Sequence, residues 1–301
     1  MRHPDVDLKT YQQDCLALVE EALDLYLPGE KMLPQSLHKA MRYSVFAGGK
    51  RIRPVLMIAA CEAAGGERRS VLPAACALEM IHTYSLIHDD LPAMDDDDFR
   101  RGRPTNHKVF GEAQAILAGD ALLTEAFNLL ARPDVSPELS AETRLKIVHL
   151  LARSAGSMGM VAGQVVDMES EGKKINFPTL EYIHTHKTGA LILAAIQIGA
   201  LVAGADETCF KNLSRYGEAA GLAFQVADDI LDIVGDQAVL GKDVGSDQER
   251  GKATYPAFLG LEEARERARD LRDMALEALQ AFAVEAEPLR QIARYIIDRS
   301  V

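Results

Sequence analysis

Leu86-Ile87-His88-Asp89-Asp90-Leu91-Pro92-Ala93-Met94-Asp95-Asp96-Asp97-Asp98-Phe99-Arg100-Arg101-Gly102 is the stretch on which the reading of this chain turns. An apolar segment delivers six aspartates within ten residues, and two adjacent arginines follow at once. Carboxylates crowded this closely repel one another unless cations lie between them. Hard divalent ions such as Mg²⁺ prefer carboxylate oxygens and often share them with substrate phosphates. Arginines beside such a group suit the fork-like gripping of phosphate. The local chemistry is therefore that of a Mg²⁺–diphosphate site.

A second acidic group supplies the other half. Phe224-Gln225-Val226-Ala227-Asp228-Asp229-Ile230-Leu231-Asp232 sets aspartates inside an apolar, helix-compatible segment. Asp228 and Asp232 would lie roughly 40° apart on one helix face and about 6 Å along the axis, close enough to share metal ions. Asp89 and Asp95 are spaced differently and would point to different sides of an unbroken helix. Pro92 disfavours helix through this stretch, so the spacing predicts a helix carrying Asp89 and Asp90 that loosens near Pro92. Asp95 can then fold back towards the same ions. Asp95 to Asp98 taken alone also read as a solvated acidic loop. Asp89, Asp90, Asp228 and Asp232 sit against Leu, Ile, Val or Ala, where uncompensated burial would cost too much. An EF-hand is excluded, because the required glycine and closing glutamate are missing.

Composition narrows the classes. The chain has 301 residues, is 48% hydrophobic, lacks Trp and is rich in Ala and Leu, which favours helix over strand. Thirty-three basic against 45 acidic side chains give a formal charge of -12, which argues against nucleic acid and anionic membranes as partners. An anionic substrate must then be held by locally concentrated cations. Cys15, Cys61, Cys76 and Cys209 are scattered and read as reduced thiols. The N-terminus has no apolar signal core. The longest apolar run, Gly189 to Ala205, is interrupted by Gln197 and reads as a buried core helix rather than a membrane span. A cytoplasmic protein without stable membrane insertion is expected.

Helical periodicity recurs over Tyr11–Leu27, Leu33–Phe46, Arg53–Ala64, Val71–Asp90, Glu112–Leu130, Ala141–Val166 and Thr179–Ile183. It continues over Gly189–Ala203, Thr208–Val234, Thr254–Leu259 and Leu261–Ile297. No β-alternation, repeat or low-complexity linker interrupts it. One all-α domain over 1–301 is expected. The two acidic groups are so far apart in sequence that only tertiary packing could unite them, as facing helices do around bundle cavities.

Other constellations fit an anionic ligand. Gly48-Gly49-Lys50-Arg51-Ile52-Arg53-Pro54 opens an apolar run. Gly49 would let backbone approach a ligand, and Lys50 and Arg53 add charge near a helix N-terminus, although a surface basic turn reads equally well. His82 lies about two helical turns before Asp89 on nearly the same face, as either a structural or a phosphate-contacting histidine. Lys187-Thr188-Gly189 begins the apolar segment, and Gln225 precedes Asp228 by three. Lys242 and Lys252 punctuate the stretch after the second acidic group, where a solvated role is the alternative.

These ordered motifs resemble one family, the trans-isoprenyl diphosphate synthases, and among them the bacterial farnesyl diphosphate synthases. The carriers are Gly49-Lys50-Arg51-Ile52-Arg53-Pro54, His82 to Asp95 with Arg100-Arg101-Gly102, Lys187-Thr188-Gly189-Ala190, Phe224 to Asp232, and Gly251-Lys252-Ala253-Thr254-Tyr255-Pro256. The resemblance spans nearly the whole chain. It implies an isoprenoid-synthase-type helical bundle around a deep central cavity, usually a homodimer. It implies about three Mg²⁺ ions, held chiefly through Asp89, Asp95 and Asp228, with Asp90, Asp229 and Asp232 beside them. Arg100, Lys187, Lys242 and Lys252 are then matched to the diphosphate of an allylic substrate, dimethylallyl or geranyl diphosphate. Lys50, Arg53, His82 and Arg101, with Gly49, are matched to isopentenyl diphosphate.

The chemistry so implied is ionisation of an allylic diphosphate, attack by the isopentenyl double bond and loss of a proton. Lys187, Thr188 and Gln225 are the expected catalytic side chains, the last two facing the carbocation with oxygen dipoles. Tyr84, with Ser85 beside it, lies five residues before Asp89, about 7.5 Å deeper along the helix. A ring there would admit a ten-carbon tail and refuse a fifteen-carbon one, which favours a farnesyl product. Geranyl or geranylgeranyl synthesis is the nearest rival. A terpene cyclase would not need Lys50, Arg53 and His82, and a non-catalytic synthase subunit would be expected to lose aspartates that are present here.

Overall fold

The computed structural model describes residues 7–234 and 254–298. These are helical nearly throughout. The helices are α1 (Leu8–Tyr26), α2 (Gln35–Val45), α3 (Ile52–Ala63), α4 (Leu72–Asp89), α5 (Asn106–Phe110), α6 (Glu112–Ala131), α7 (Ala141–Ala155) and α8 (Met160–Ser170). They continue with α9 (Phe177–Ile183), α10 (Ala190–Val202), α11 (Glu207–Val234), α12 (Tyr255–Leu259), α13 (Leu261–Ala278) and α14 (Glu287–Asp298).

The expected all-α architecture is what the described residues adopt, with one small addition. Strands β1 (Phe99–Arg100) and β2 (Arg103–Pro104) form an antiparallel hairpin. Its central residues, Arg101 and Gly102, both have positive φ (53° and 73°), the signature of a type I′ turn. Two-residue strands are too short to leave an alternating pattern in sequence.

By internal packing the chain divides into two units. One comprises Lys9–Ile58 and Arg68–Val148, and the other Met1–Leu8, Ala59–Glu67 and His149–Val301. In the first, α4 packs along α6 and α2. Every residue of α4 from Leu72 to Ile81 is buried, so its sequence is apolar around the whole helix rather than on one stripe. In the second unit α11 packs against α13 and α10, while α8 packs on the segment following α9.

Three helix boundaries differ from the sequence spacing. The single helix expected over Ala141–Val166 is divided into α7 and α8 by non-helical backbone at Gly159 (φ −144°, ψ −123°), where any Cβ would overlap the Ser154 carbonyl group. The stretch expected as one helix over Leu261–Ile297 stops at Ala278 and resumes at Glu287 after a 3₁₀ turn, Val284–Ala286. Arg290 stabilises that break by donating to the carbonyls of Leu279, Phe282 and Ala283 at 2.9, 2.6 and 3.1 Å. Conversely, the helices expected apart at Thr179–Ile183 and Gly189–Ala203 are one continuous helix from Phe177 to Val202. The Asn176 side chain caps it by accepting from Thr179 N–H at 2.9 Å. A π-helical segment, His184–Gly189, joins α9 to α10. This helix is long and apolar enough to cross a bilayer, yet Leu191, Ala195, Ile196 and Ile198 are fully buried, as in a core helix.

Candidate active site

Each unit carries one of the two acidic groups. In the first unit α4 ends at Asp89 and the chain turns back on itself through Pro92. The N–H of Met94 donates to Leu91 O at 2.9 Å, Asp95 N–H to Asp89 O at 2.8 Å and Asp96 N–H to Leu91 O at 3.1 Å. The loop thereby returns Asp95 to the level of Asp89, the reversal that the spacing predicts. Both residues are half-buried.

Asp90 has a different environment. It is buried, and Arg100 Nε donates to its Oδ1 at 2.6 Å. Burial raises the Asp90 pKa, against the opposing pull of Arg100. Burial also works against the charge on Arg100, but Asp90, Asp97 and Asp89 outweigh it and raise the Arg100 pKa. Arg100 Nη2 reaches Asp97 Oδ2 at 3.3 Å as well. Asp98 is exposed and pairs with Lys108 at 2.6 Å. Asp96 and Asp98 are exposed, as in a solvated acidic loop, whereas Asp97 between them helps orient Arg100.

The neighbouring arginine turns elsewhere. Arg101 Nη1 donates to the carbonyl of Gly48, and a Cβ on Gly49 would come within 2.6 Å of the Arg101 guanidinium carbon. Gly49 also has φ 124°, a backbone conformation that favours glycine. Arg53 Nη1 lies 3.4 Å from His82 Nε2. Burial, together with Arg53, Arg101, Arg51 and Arg100, holds His82 well below its usual pKa, so its imidazole is neutral and Nε2 can accept from Arg53. Gly49, Arg53, His82 and Arg101 are therefore assembled together, and Lys50 is exposed on the same loop.

Tyr84 is 8% exposed, with its ring edge-on to His88 at 5.8 Å. Burial and the charge of Asp89 raise the Tyr84 pKa. Ser85 Oγ donates to His82 O at 2.9 Å, back along its own helix.

In the second unit the sequence folds around Lys187. The widened π-helical turn presents Lys187 and Thr188 one after the other, and π turns often mark functional sites. Gly163 of α8 lies against the Lys187 backbone, where any Cβ would overlap its nitrogen. That contact brings Asp167, one turn later on α8, to the Lys187 ammonium at 2.6 Å.

Thr188 Oγ1 donates to Gln225 Oε1 at 3.0 Å, and Gln225 Nε2 donates to Asp229 Oδ1 at 3.0 Å. Asp229 Oδ2 accepts from the Tyr255 N–H at 2.9 Å. A carboxylate only accepts, so Asp229 fixes which end of the Gln225 amide faces Thr188. Asp167, Lys187, Thr188, Gln225, Asp228 and Asp229 line an open cavity of roughly 270 Å³ together with His184. Asp228 is half-buried there, whereas Asp232, one turn further along α11, is buried and lies outside this lining. Burial pushes the His184 pKa down to about 4, with Asp167 opposing and Lys187 assisting. Lys242 and Lys252 lie outside the described residues.

Among the described residues no three His, Cys, Asp or Glu side chains form a preformed metal cage. Mg²⁺ is commonly held through one or two carboxylates with water and substrate phosphate completing its shell. Asp89 with Asp95 in one unit, and Asp228 in the other, are hard oxygen donors of that kind.

Two residues with clear roles were missed from the sequence. Asp167 left a signal, Gly163-Gln164-Val165-Val166-Asp167, in which a glycine and a carboxylate stand one helical turn apart. Arg51 left none, because its partners come from α1 and α4.

Comparison with known proteins places this geometry. The family model for polyprenyl synthetase matches residues 34–291 and so runs through both units. The chain is 50% identical to a farnesyl diphosphate synthase of Geobacillus stearothermophilus, over 93% of this chain and 94% of that protein. It is 48% identical to a geranylgeranyl diphosphate synthase of Cyanophora paradoxa, over 98% and 97% respectively. A solved structure of an FPP/GFPP synthase from Zymomonas mobilis superimposes with a TM-score of 0.86 at 38% identity, covering 97% of this chain and 99% of that one.

Proposed function

The chain belongs to the polyprenyl synthetase family and is a prenyltransferase, and on that premise we propose that it is a farnesyl diphosphate synthase. The proposed reaction condenses isopentenyl diphosphate with dimethylallyl diphosphate and then with geranyl diphosphate, releasing diphosphate at each step. The observation that carries the reading is the divergence of two adjacent arginines. Arg100 is held by Asp90 and Asp97 beside the aspartate loop, while Arg101 reaches the Gly48–Gly49 backbone near Arg53 and His82. One hairpin thus serves two anion sites, as two diphosphate substrates require.

Asp89, Asp95 and Asp228 would hold the Mg²⁺. Bound there, Mg²⁺ supplies positive charge that neutralises the diphosphate as it departs. Arg100 in one unit and Lys187 in the other are the cations proposed for the allylic diphosphate, their side chains held in place by Asp90 and Asp167. Thr188 Oγ1, donating its hydrogen bond to Gln225 Oε1, keeps lone pairs to turn towards an allylic cation, and Gln225 Oε1 adds a second dipole. Neutral His82, with Lys50, Arg53 and Arg101, orients the isopentenyl diphosphate for attack. Relatives of both names resemble this chain to a similar degree, so the choice of the farnesyl length rests on Tyr84, whose ring is buried in α4 five residues before Asp89.

The reading includes one synthase domain over 1–301, a homodimer and a cytoplasmic location. The polyprenyl synthetase match over 34–291 supports the first, and sedimentation would test the second. Release of diphosphate, followed with each substrate alone and with both, tests the reaction itself. Release that requires isopentenyl and dimethylallyl diphosphates together, and Mg²⁺, is expected. Equal release from the allylic substrate alone would point instead to a cyclase or a hydrolase.

A further inference from the structure

Among the described residues only Arg51, Asp96 and Arg101 combine a side chain with positive φ, and all three stand in the loops just described. Asp96 and Arg101 lie in tight turns that account for their conformation. Arg51 does not, and nothing in the reaction uses its side chain. It sits between Lys50 and Arg53, yet it is only 2% exposed, and its backbone is left-handed at φ 46°. A bulky residue adopts that conformation only where its surroundings over-determine it.

The surroundings do so from three directions. Arg51 Nε donates to Glu20 Oε1 of α1 at 2.8 Å, and Nη1 to Glu79 Oε1 of α4 at 2.6 Å. Nη2 donates to the carbonyl of Val45 at the end of α2. A guanidinium carries its donors on three nitrogens fixed in one plane, so each can meet an acceptor on a different element, whereas the three protons of a lysine ammonium all radiate from one nitrogen.

We propose that Arg51 is the positioning residue of the isopentenyl diphosphate pocket. Its buried guanidinium, clamped by Glu20 and Glu79, holds the chain reversal at Gly48–Ile52 in the form that exposes Lys50 and sets Arg53 against His82. The proposal rests on the reading of Lys50, Arg53, His82 and Arg101 as that pocket. Without the clamp the left-handed residue relaxes, and Lys50 and Arg53 no longer meet one diphosphate together. The aspartate loop, built on its own hydrogen bonds at the end of α4, is unaffected.

Steady-state kinetics of the full chain, with each substrate varied in turn, test this. Arg51→Lys keeps the charge and loses the three-way fork. A rise of about tenfold or more in the isopentenyl KM is expected, with kcat and the allylic KM within about twofold. Glu79→Gln, which alters the clamp without touching the pocket, should reproduce the selective rise more weakly. A purely structural Arg51 would lower kcat through loss of active protein and shift neither KM. An unchanged isopentenyl KM, or a parallel rise in both KM values, overturns the proposal. If Arg51→Lys does not fold, Glu20→Gln is read by the same criteria. Lys50→Ala separates the two levels: an unchanged isopentenyl KM there overturns the pocket itself, whereas a raised one beside a normal Arg51→Lys overturns only the role of Arg51.

Discussion

Asp95 donates its backbone N–H to the carbonyl of Asp89 at 2.8 Å, so the two residues are tied together across a six-residue turn. Main-chain geometry thereby brings the two residues back together before any cation arrives. Both side chains are hard oxygen donors of the kind a divalent ion takes. Replacing Asp89 with Ala leaves that backbone bond intact and removes only the ligand. Turnover should fall by at least about a hundredfold in Asp89→Ala and in Asp228→Ala, with helical circular dichroism unchanged. Near-normal turnover in either folded variant would contradict the metal assignment.

Tyr84→Ala removes the proposed floor of the chain-elongation path. Products should shift towards twenty carbons or more, read by chromatography after dephosphorylation. The same change opens a cavity in α4 and should cost about 3 kcal/mol of stability. Tyr84→Phe keeps the ring and should keep both the product and the stability. An unchanged product profile in Tyr84→Ala would remove the farnesyl assignment from this residue.

Lys187→Ala should raise the allylic KM by about ten- to a hundredfold, the worth of one charge-assisted contact, and leave the isopentenyl KM nearly unchanged. Initial rates at varied concentrations of each substrate decide it. A defect confined to isopentenyl diphosphate would reassign Lys187.

Protonation of His184 gives a pH dependence with a defined sign. Burial holds its folded pKa at about 4 against 6.5 unfolded, so between these values the unfolded chain binds the extra proton. Its contribution is complete above pH 6.5 and is lost as pH falls towards 4. The full difference is on the order of 3 kcal/mol. Urea titrations at stepped pH should show stability declining through this window, and His184→Gln should decline less steeply. Identical slopes would place the charge-sensitive group elsewhere.

Much of this was legible in sequence because it is local. Periodicity located α1, α4, α6 and α11 to within a few residues, and Pro92 announced the turn that returns Asp95 to Asp89. The divided helix at Gly159 was not legible, since periodicity persists across it and only the Ser154 carbonyl shows why glycine is needed. The join of α9 to α10 was hidden for the opposite reason: Lys187-Thr188-Gly189 looks like a helix start but lies inside a π-helical turn. Candidate residues of the kind that bear charge were found as residues, but their partners were not. Sequence set Asp90 beside the metal ligands without showing that Arg100 lies on its carboxylate, and it set Arg51 in a basic turn without showing Glu20 and Glu79 around it.

The central claim is that one polypeptide with Mg²⁺ joins isopentenyl and allylic diphosphates and stops at fifteen carbons. Incubation with labelled isopentenyl diphosphate, dimethylallyl diphosphate and Mg²⁺, followed by chromatography of the dephosphorylated products, tests it most directly. Farnesol as the dominant product, abolished by chelation of the metal, is the expected result. No incorporation by folded protein, or a dominant twenty-carbon product, would contradict it.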